Sequence, residues 1–408
     1  MTNEKSDRVK GRLKLSNAKL NTILDITQAI NNNSSREELF EVLNIVLSEE
    51  LNIDKYVLFN FESNWRISLK KGISQKDING INIYSIVNKY DTIDVIHNSN
   101  ELGTNQFDIV IPVFHKNEPF AYFLLADLNG EKLEISPIIK HLKFIQTLAN
   151  IVVVALENKR LHEEELKQLI IKKELEMAQG MQGLLFPKQL SNDKQIKVKA
   201  FYLPHSEVGG DYYDVIKLSE NKTALCIADV SGKGMSAALL MANFQANIRA
   251  QLDFTHDLEE LIRKTNKKVI ESVRYEKFIT FFIAIYDSRT KQLTYLNAGH
   301  QPAILLKNDA NLFLKKGCTV LGMFDELPAL EVGSIKIDKQ DKFICFTDGL
   351  TELEDKKGNQ LESEGVSSIV KRSDTLEVCK ERLVSSIYEL EQSSGIKDDI
   401  TFLAAEFL

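Results

Sequence analysis

Apolar residues recur at helical spacing near the start of the chain. Leu20, Ile23, Leu24, Ile26 and Ile30 share one side of a segment from about residue 15 to 31. The tract Asn31-Asn32-Asn33-Ser34 breaks it. Ser35 then stands where a helix cap belongs, and Glu38 follows three residues later, the spacing of a capping box. Leu39, Leu43, Val46 and Leu47 give that second helix its apolar face. The pattern then changes to strand-like runs at 56–61, 65–69, 92–97, 107–114 and 120–126. A helix from about 137 to 160 closes the unit.

Helices at both ends of a sheet of about five strands predict an α+β module over residues 1–155. Its order and length resemble the GAF family, with a PAS-like or unclassified α+β module as the alternative. The GAF resemblance implies a sensor domain that takes a small-molecule or protein input. Residues 156–187 follow as a charged helical linker, ENKRLHEEELKQLIIKKELEMAQGMQGLL and its flanks. Leu161, Leu166, Leu169, Ile170, Met177, Met181 and Leu184 recur at helical spacing, while Lys173 and Gly180 interrupt the best heptad frame. This predicts a short, imperfect coiled coil joining two copies of the chain, ended by Pro187; a solvated linker helix is the bland alternative.

From 188 to 408 the pattern is rich in strands, read at 196–202, 211–218, 222–230, 278–287, 292–297, 303–306, 330–337, 342–347 and 400–407. Helices read at 235–252, 258–275 and 376–390. Strands in neighbouring pairs, with helices also in pairs, predict an α+β layered sandwich and not a doubly wound parallel sheet.

Charge and composition narrow the function classes. A net charge of -7 with no basic stripe argues against nucleic acid as partner. No apolar run approaches the roughly 18 residues of a membrane span. The opening MTNEKSDRVKGRLKL has no apolar core, so no signal peptide is expected. Cys226, Cys318, Cys345 and Cys379 form no CxxC pair, and buried thiols in a reducing cytoplasm are expected.

The candidate chemistry lies in four aspartates at predicted strand ends: Asp211, Asp229, Asp348 and Asp398. The turn Ser219-Glu220-Asn221 joins two of those strands. Centred on Glu220, it sets Asp211 opposite Asp229, puts both on the face of Tyr213, Val215, Leu225 and Ile227, and turns Asp214 to the other face. Like charges facing across a hairpin are destabilising. At an effective dielectric near 20 and ~4 Å the repulsion is about 4 kcal/mol, and a divalent cation reverses its sign. All-oxygen ligation suits Mg²⁺ or Mn²⁺ better than zinc. Any single strand-end aspartate is more commonly a turn former, so the inference rests on the set.

The segments EVGGDYYDV, ADVSGKGMSAALLMA, NAGHQPAIL, FTDGLTE and DDIT resemble the PPM-type metal-dependent serine/threonine phosphatases, most of all the SpoIIE/RsbU group. AQGMQGLLFP is similar to that group's lead-in. The resemblance runs from about Glu174 to Leu408 and implies an αββα sandwich with two Mn²⁺ or Mg²⁺ ions. By resemblance Asp211 is the first acidic position, and Asp229 is shared by the ions with the Val230 carbonyl beside it. Asp348 and Asp398 are the remaining corners, with Asp399 adjoining the last. It further implies in-line attack on phosphorus by a metal-activated water, and a phosphorylated STAS-type regulatory protein as substrate.

Other signals are weaker. Cysteine phosphatase chemistry is excluded, because no cysteine has Arg six positions on; those positions hold Gly232, Phe324, Thr351 and Ser385. Ser231-Gly232-Lys233-Gly234 fails the Walker A pattern at positions 227 and 234. Lys233 is a candidate for substrate phosphate or a solvated lysine. His300 is expected to stabilise its turn rather than act in catalysis, and is a lesser substrate-binding candidate. Gly209, Gly210 and Gly349 read as backbone needs of close-packed loops. The expectation is therefore a cytoplasmic, homodimeric signalling phosphatase under sensor control. The alternatives are an inactive phosphatase-fold scaffold or a hydrolase of small phosphate esters.

Overall fold

A computed structural model describes residues 2–96, 106–115, 118–126, 137–190, 193–308 and 310–408. Packing divides the chain into two compact units, Met1–Leu169 and Ile170–Leu408.

In the first unit, α1 (Thr2–Asn31) and α2 (Arg36–Ile45) precede β1 (Tyr56–Phe61) and β2 (Trp65–Lys71). The capping box at α2 forms as the spacing predicts. The Glu38 amide donates to Ser35 Oγ, and the Ser35 amide donates to Glu38 Oε2 at 2.8 Å. Two short helices that the sequence pattern did not predict, α3 (Gln75–Asn79) and α4 (Ile83–Lys89), come next. They lead to β3 (Asp94–Val95), β4 (Ile109–His115) and β5 (Glu118–Leu125). The strand expected at 92–97 is thus two residues long, and residue 97 lies outside the described residues. The sheet runs β2-β1-β5-β4-β3 and every pairing is antiparallel. Both faces are covered. Tyr56, Leu58 and Phe123 meet Leu39, Leu43, Leu148 and Val152 on one side. Val57, Phe59 and Tyr122 meet Ile83, Ile86 and Tyr90 on the other.

Helix α5 (Pro137–Gly183) is continuous. The helix expected to close the first unit near residue 160 and the linker helix expected after it are one element. It stops four residues before Pro187, and Phe186 beyond it is buried between the rings of Tyr202 and Tyr213.

The second unit begins with β6 (Ile196–Leu203), β7 (Tyr212–Lys217) and β8 (Lys222–Val230). Helices α6 (Met235–Leu252) and α7 (Leu258–Val273) follow, then β9 (Ile279–Asp287), β10 (Gln292–Ala298), β11 (Ala303–Lys307), β12 (Ala310–Leu314), β13 (Gly317–Cys318), β14 (Gly333–Lys336) and β15 (Lys342–Phe346). The chain ends in α8 (Asp348–Thr351), α9 (Glu362–Ile369), α10 (Leu376–Ser394) and β16 (Ile400–Phe407). One sheet runs β13-β10-β9-β8-β7, with β14 also paired to β10, and the other runs β12-β11-β15-β16-β6.

Alternation along β8 explains the layering. Ala224, Cys226 and Ala228 face Met241, Phe244 and Ile248 of α6. Leu225 and Ile227 face Phe343, Cys345 and Leu403 of the opposite sheet. The second sheet repeats the scheme, with Ile344, Phe346 and Phe402 turned toward Val366, Cys379, Leu383 and Ile387 of α9 and α10. A strand buried on both faces reads as an unbroken apolar run, as ALCIA does. The layers are helix, sheet, sheet, helix.

Candidate metal centre

The β7–β8 hairpin has the register read from its turn. Tyr212 pairs with Ala228 and Tyr213 with Ile227. Asp211 lies one residue before β7, on the same register line as Asp229. Asp348 and Asp398 are each two residues from a strand, after β15 and before β16. Both of those strands belong to the second sheet, so the candidate residues come from both sheets at one end of the sandwich.

Asp211 is buried, and two threonines hold it. Thr347 Oγ1 donates to its Oδ2 at 2.8 Å, and Thr401 Oγ1 donates to the same oxygen at 2.5 Å. The Thr401 amide in turn donates to Thr347 Oγ1 at 3.0 Å. Burial, then the charges of Asp229 and Asp399, push the Asp211 carboxyl well above its ordinary range against these hydroxyls. Burial is also the first cause raising Asp229, followed by Asp348, Asp398 and Asp399; together they lift it to about 7 despite Lys233. Asp348 is raised by burial and by Glu352 and Asp398. Carboxylates from four segments therefore feel one another strongly.

Asp398 and Asp399 behave differently. Both Asp399 oxygens are taken by backbone: the His205 amide donates to Oδ1 at 2.8 Å and the Gly210 amide to Oδ2 at 2.7 Å. Asp398 remains partly exposed and pairs with Lys233 Nζ at 3.0 Å. Lys233 also donates to the Lys397 carbonyl. Close approach explains two glycines here. A Cβ on Gly349 would lie 2.1 Å from the Asp399 carbonyl oxygen, and one on Gly210 would lie 2.8 Å from the Val230 carbonyl oxygen. Val230 itself is buried.

His300 is buried and belongs to its turn. Its amide donates to Asn297 Oδ1 at 2.7 Å, and Asn297 Nδ2 donates to the His300 carbonyl at 2.9 Å. Nδ1 lies 2.8 Å from Thr280 Oγ1, and Thr280 is the register partner of Asp229 on β9. Burial pulls the imidazole down to about 4, so it is neutral at physiological pH. Asp214 is turned away, as parity requires. It is fully buried on the helical side, bound by Arg249 Nε at 2.7 Å, Arg249 Nη2 at 2.8 Å and the Tyr212 hydroxyl at 2.6 Å.

The donor set is all oxygen, which fits a hard divalent cation. Among the described residues no three acidic, histidine or cysteine side chains form a ready-made shell around one point. In this arrangement two hydroxyls hold Asp211 and Lys233 pairs with Asp398. Sequence reasoning missed Thr347 and Thr401, although both stand inside the quoted motifs FTDGLTE and DDIT. It also missed Gln182, whose partner is backbone.

Residues 219–408 match the family described as Stage II sporulation protein E (SpoIIE). The chain is 28% identical over 222 residues to the phosphoserine phosphatase RsbU of Bacillus subtilis (strain 168), covering 54% of this chain and 63% of that relative. It is 26% identical over 190 residues to the phosphoserine phosphatase RsbP of the same organism, covering 45% and 47%. The chain thus spans less than two thirds of the length of either relative. The SiaA-PP2C domain of Pseudomonas aeruginosa shares the fold at 19% identity, with a TM-score of 0.52 over 59% of this chain and 99% of that one.

Proposed function

Since the C-terminal part of this chain is a SpoIIE/PP2C-type phosphatase domain, homologous to the phosphoserine phosphatases RsbU and RsbP, we propose that the protein hydrolyses phosphoserine or phosphothreonine on a small STAS-type regulatory protein. The observation that carries this is the gathering of Asp211 and Asp229 from one sheet and Asp348 and Asp398 from the other at one end of the sandwich, where burial and the neighbouring carboxylates push the Asp229 carboxyl up. Carboxylates crowded in this way repel one another when ionised, and a bound cation would relieve that repulsion at neutral pH.

In this reading Asp211, Asp229, Asp348, Asp398 and the Val230 carbonyl hold Mn²⁺ or Mg²⁺, with two ions expected. Such ions, when bound, neutralise phosphate charge and acidify water to near neutrality. The chain's own residues aim and hold the donors. Thr347 and Thr401 orient Asp211, and Asp399 suspends the 205–210 backbone. Both Asp399 oxygens are already engaged by backbone amides, which favours Asp398 as the fourth ligand. Lys233 is assigned to meet a substrate phosphoryl group, which its position beside Asp398 supports. His300 acts on its turn and not on the substrate.

Residues 1–155 are assigned as the GAF-like sensor domain, with 156–187 as linker and 188–408 as phosphatase domain. Two copies are assigned to pair through α5. Leu166, Leu169, Ile170, Met177 and Met181 along it and Leu184 just beyond it are exposed, from 45% to 71%, which supports an apolar seam. A cytoplasmic setting is assigned with the substrate. Among the described residues no helix is long and apolar enough to cross a membrane.

The test is Mn²⁺-dependent phosphate release from a phosphoserine peptide by Asp229→Asn. Loss of even an outer-shell partner typically costs about 10–100-fold, so the ligand itself should cost more. Activity at the parent level would defeat the proposal.

A further inference from the structure

We propose that Gln182 is a positioning residue of the metal centre, its carboxamide fixing the loop that carries Asp211. The inference rests on the metal-centre reading above. Gln182 stands on the last turn of α5 and is only 6% exposed. Its Nε2 donates to the Gly209 carbonyl at 2.7 Å, and the Gly209 amide donates back to its Oε1 at 3.2 Å. Both backbone groups of one residue are thus satisfied by one side chain.

The next residues lead straight into the site. Gly210 donates to Asp399, and Asp211 follows it. The loop hangs from two points, Gln182 on the helix side and Asp399 on the strand side. The loop passes close against its neighbours at Gly209, where a Cβ would lie 2.2 Å from Asp399 Oδ2 and 2.3 Å from Tyr202 Oη. The residues after the helix are anchored as well: Phe186 packs 4.8 Å from the Tyr202 ring and 4.9 Å from the Tyr213 ring. Gln245 of α6 donates to the Leu185 carbonyl at 3.2 Å.

A side chain with donor and acceptor on one planar group, and the right reach, is needed for this pair of bonds. Glu keeps the acceptor but loses the donor. Leu loses both and leaves two buried backbone groups unpaired. Either change frees the loop, so Asp211 spends less time where a cation needs it. Position of the C-terminal turn of α5 then becomes a determinant of metal affinity.

The experiment uses the full chain with Gln182→Leu, Gln182→Glu and Asp229→Asn. Mn²⁺ affinity is read by calorimetry, the Mn²⁺ dependence of phosphoserine-peptide hydrolysis by kinetics, and folding by thermal melting. Gln182→Leu and Gln182→Glu are expected to weaken Mn²⁺ binding about tenfold or more. Excess Mn²⁺ is expected to restore most of kcat. A residue that served stability alone would lower the melting temperature and leave Mn²⁺ half-saturation unchanged; that outcome, or tighter binding, overturns the inference.

If Gln182→Leu does not fold, Gln182→Glu decides on the same scale. If neither folds, hydrogen exchange of the wild-type Gly209 amide decides. Slow exchange supports the clamp, and exchange at the rate of an exposed loop overturns it. Asp229→Asn separates the two readings. Unchanged Mn²⁺ binding in that variant sinks the metal centre itself, whereas its loss beside wild-type behaviour of both Gln182 variants sinks only the role of Gln182.

Discussion

At the scale of single residues, the groups that aim a carboxylate matter as much as the carboxylate. Thr401 sits on Asp211 at 2.5 Å, and outer-shell partners of this kind are typically worth about 10–100-fold in metal affinity. Thr401→Val is therefore expected to raise the Mn²⁺ dissociation constant by that factor in a calorimetric titration; an unchanged constant would remove the hydroxyl from the account. His300 gives a pH prediction. Its folded pKa, about 4, lies below the ordinary 6.5, so folding favours the neutral ring. That contribution is fully present above pH 6.5 and is lost as pH falls toward 4. His300→Gln should flatten the loss of stability over this window in urea melts, and a slope identical to the parent's would contradict it. Asp229 and Asp348 were legible in the sequence because each closes a strand-like run, FICFTD or ALCIAD. The threonines were not singled out, because a hydroxyl beside a carboxylate in sequence says nothing of the carboxylate it meets in space.

At the scale of elements, local patterning was read well and lateral packing was not. The capping box at Ser35 and the 219–221 turn depend on near neighbours, so spacing alone exposes them. Strand β8 was read with its observed limits, because burial on both faces leaves an apolar run bounded by polar residues. By contrast α3, α4, α8 and α9 are short, and their helical period has no room to show. The partner of Asp214 was also hidden. Parity turned it from the metal face, but only the packing of α6 on β7 brings Arg249 to it. Removing Arg249 leaves a fully buried carboxylate with the Tyr212 hydroxyl and the Val215 amide as its remaining partners. Arg249→Ala is expected to cost on the order of 3 kcal/mol in chemical denaturation. A change below about 0.5 kcal/mol would show that the pair behaves as a surface one.

At the scale of the whole molecule, the carboxylate cluster ties stability to metal. The Asp229 pKa is raised, so the folded state favours its protonated form, and that contribution is lost as pH rises from about 4 through about 7. A cation reverses the penalty. At 100 times its dissociation constant, Mn²⁺ should add about 2.7 kcal/mol, or about 5–10 °C in melting temperature for a unit of this size. The gain should be larger at pH 8 than at pH 5; equal melts with Mn²⁺ and with chelator would refute this. By itself the sequence determined most of the longer strands, the hairpin register, the opposition of Asp211 and Asp229 and the chemical type of the donors. These follow from side-chain periodicity and turn length, which act over a few residues. Tertiary structure alone decided that Asp399 holds backbone while Asp398 stays open, that Thr347 and Thr401 reach across to Asp211, and that Gln182 grips Gly209. Those contacts join residues 27 to 194 positions apart, and only the stacking of two sheets and the docking of a helix end bring them within bonding distance.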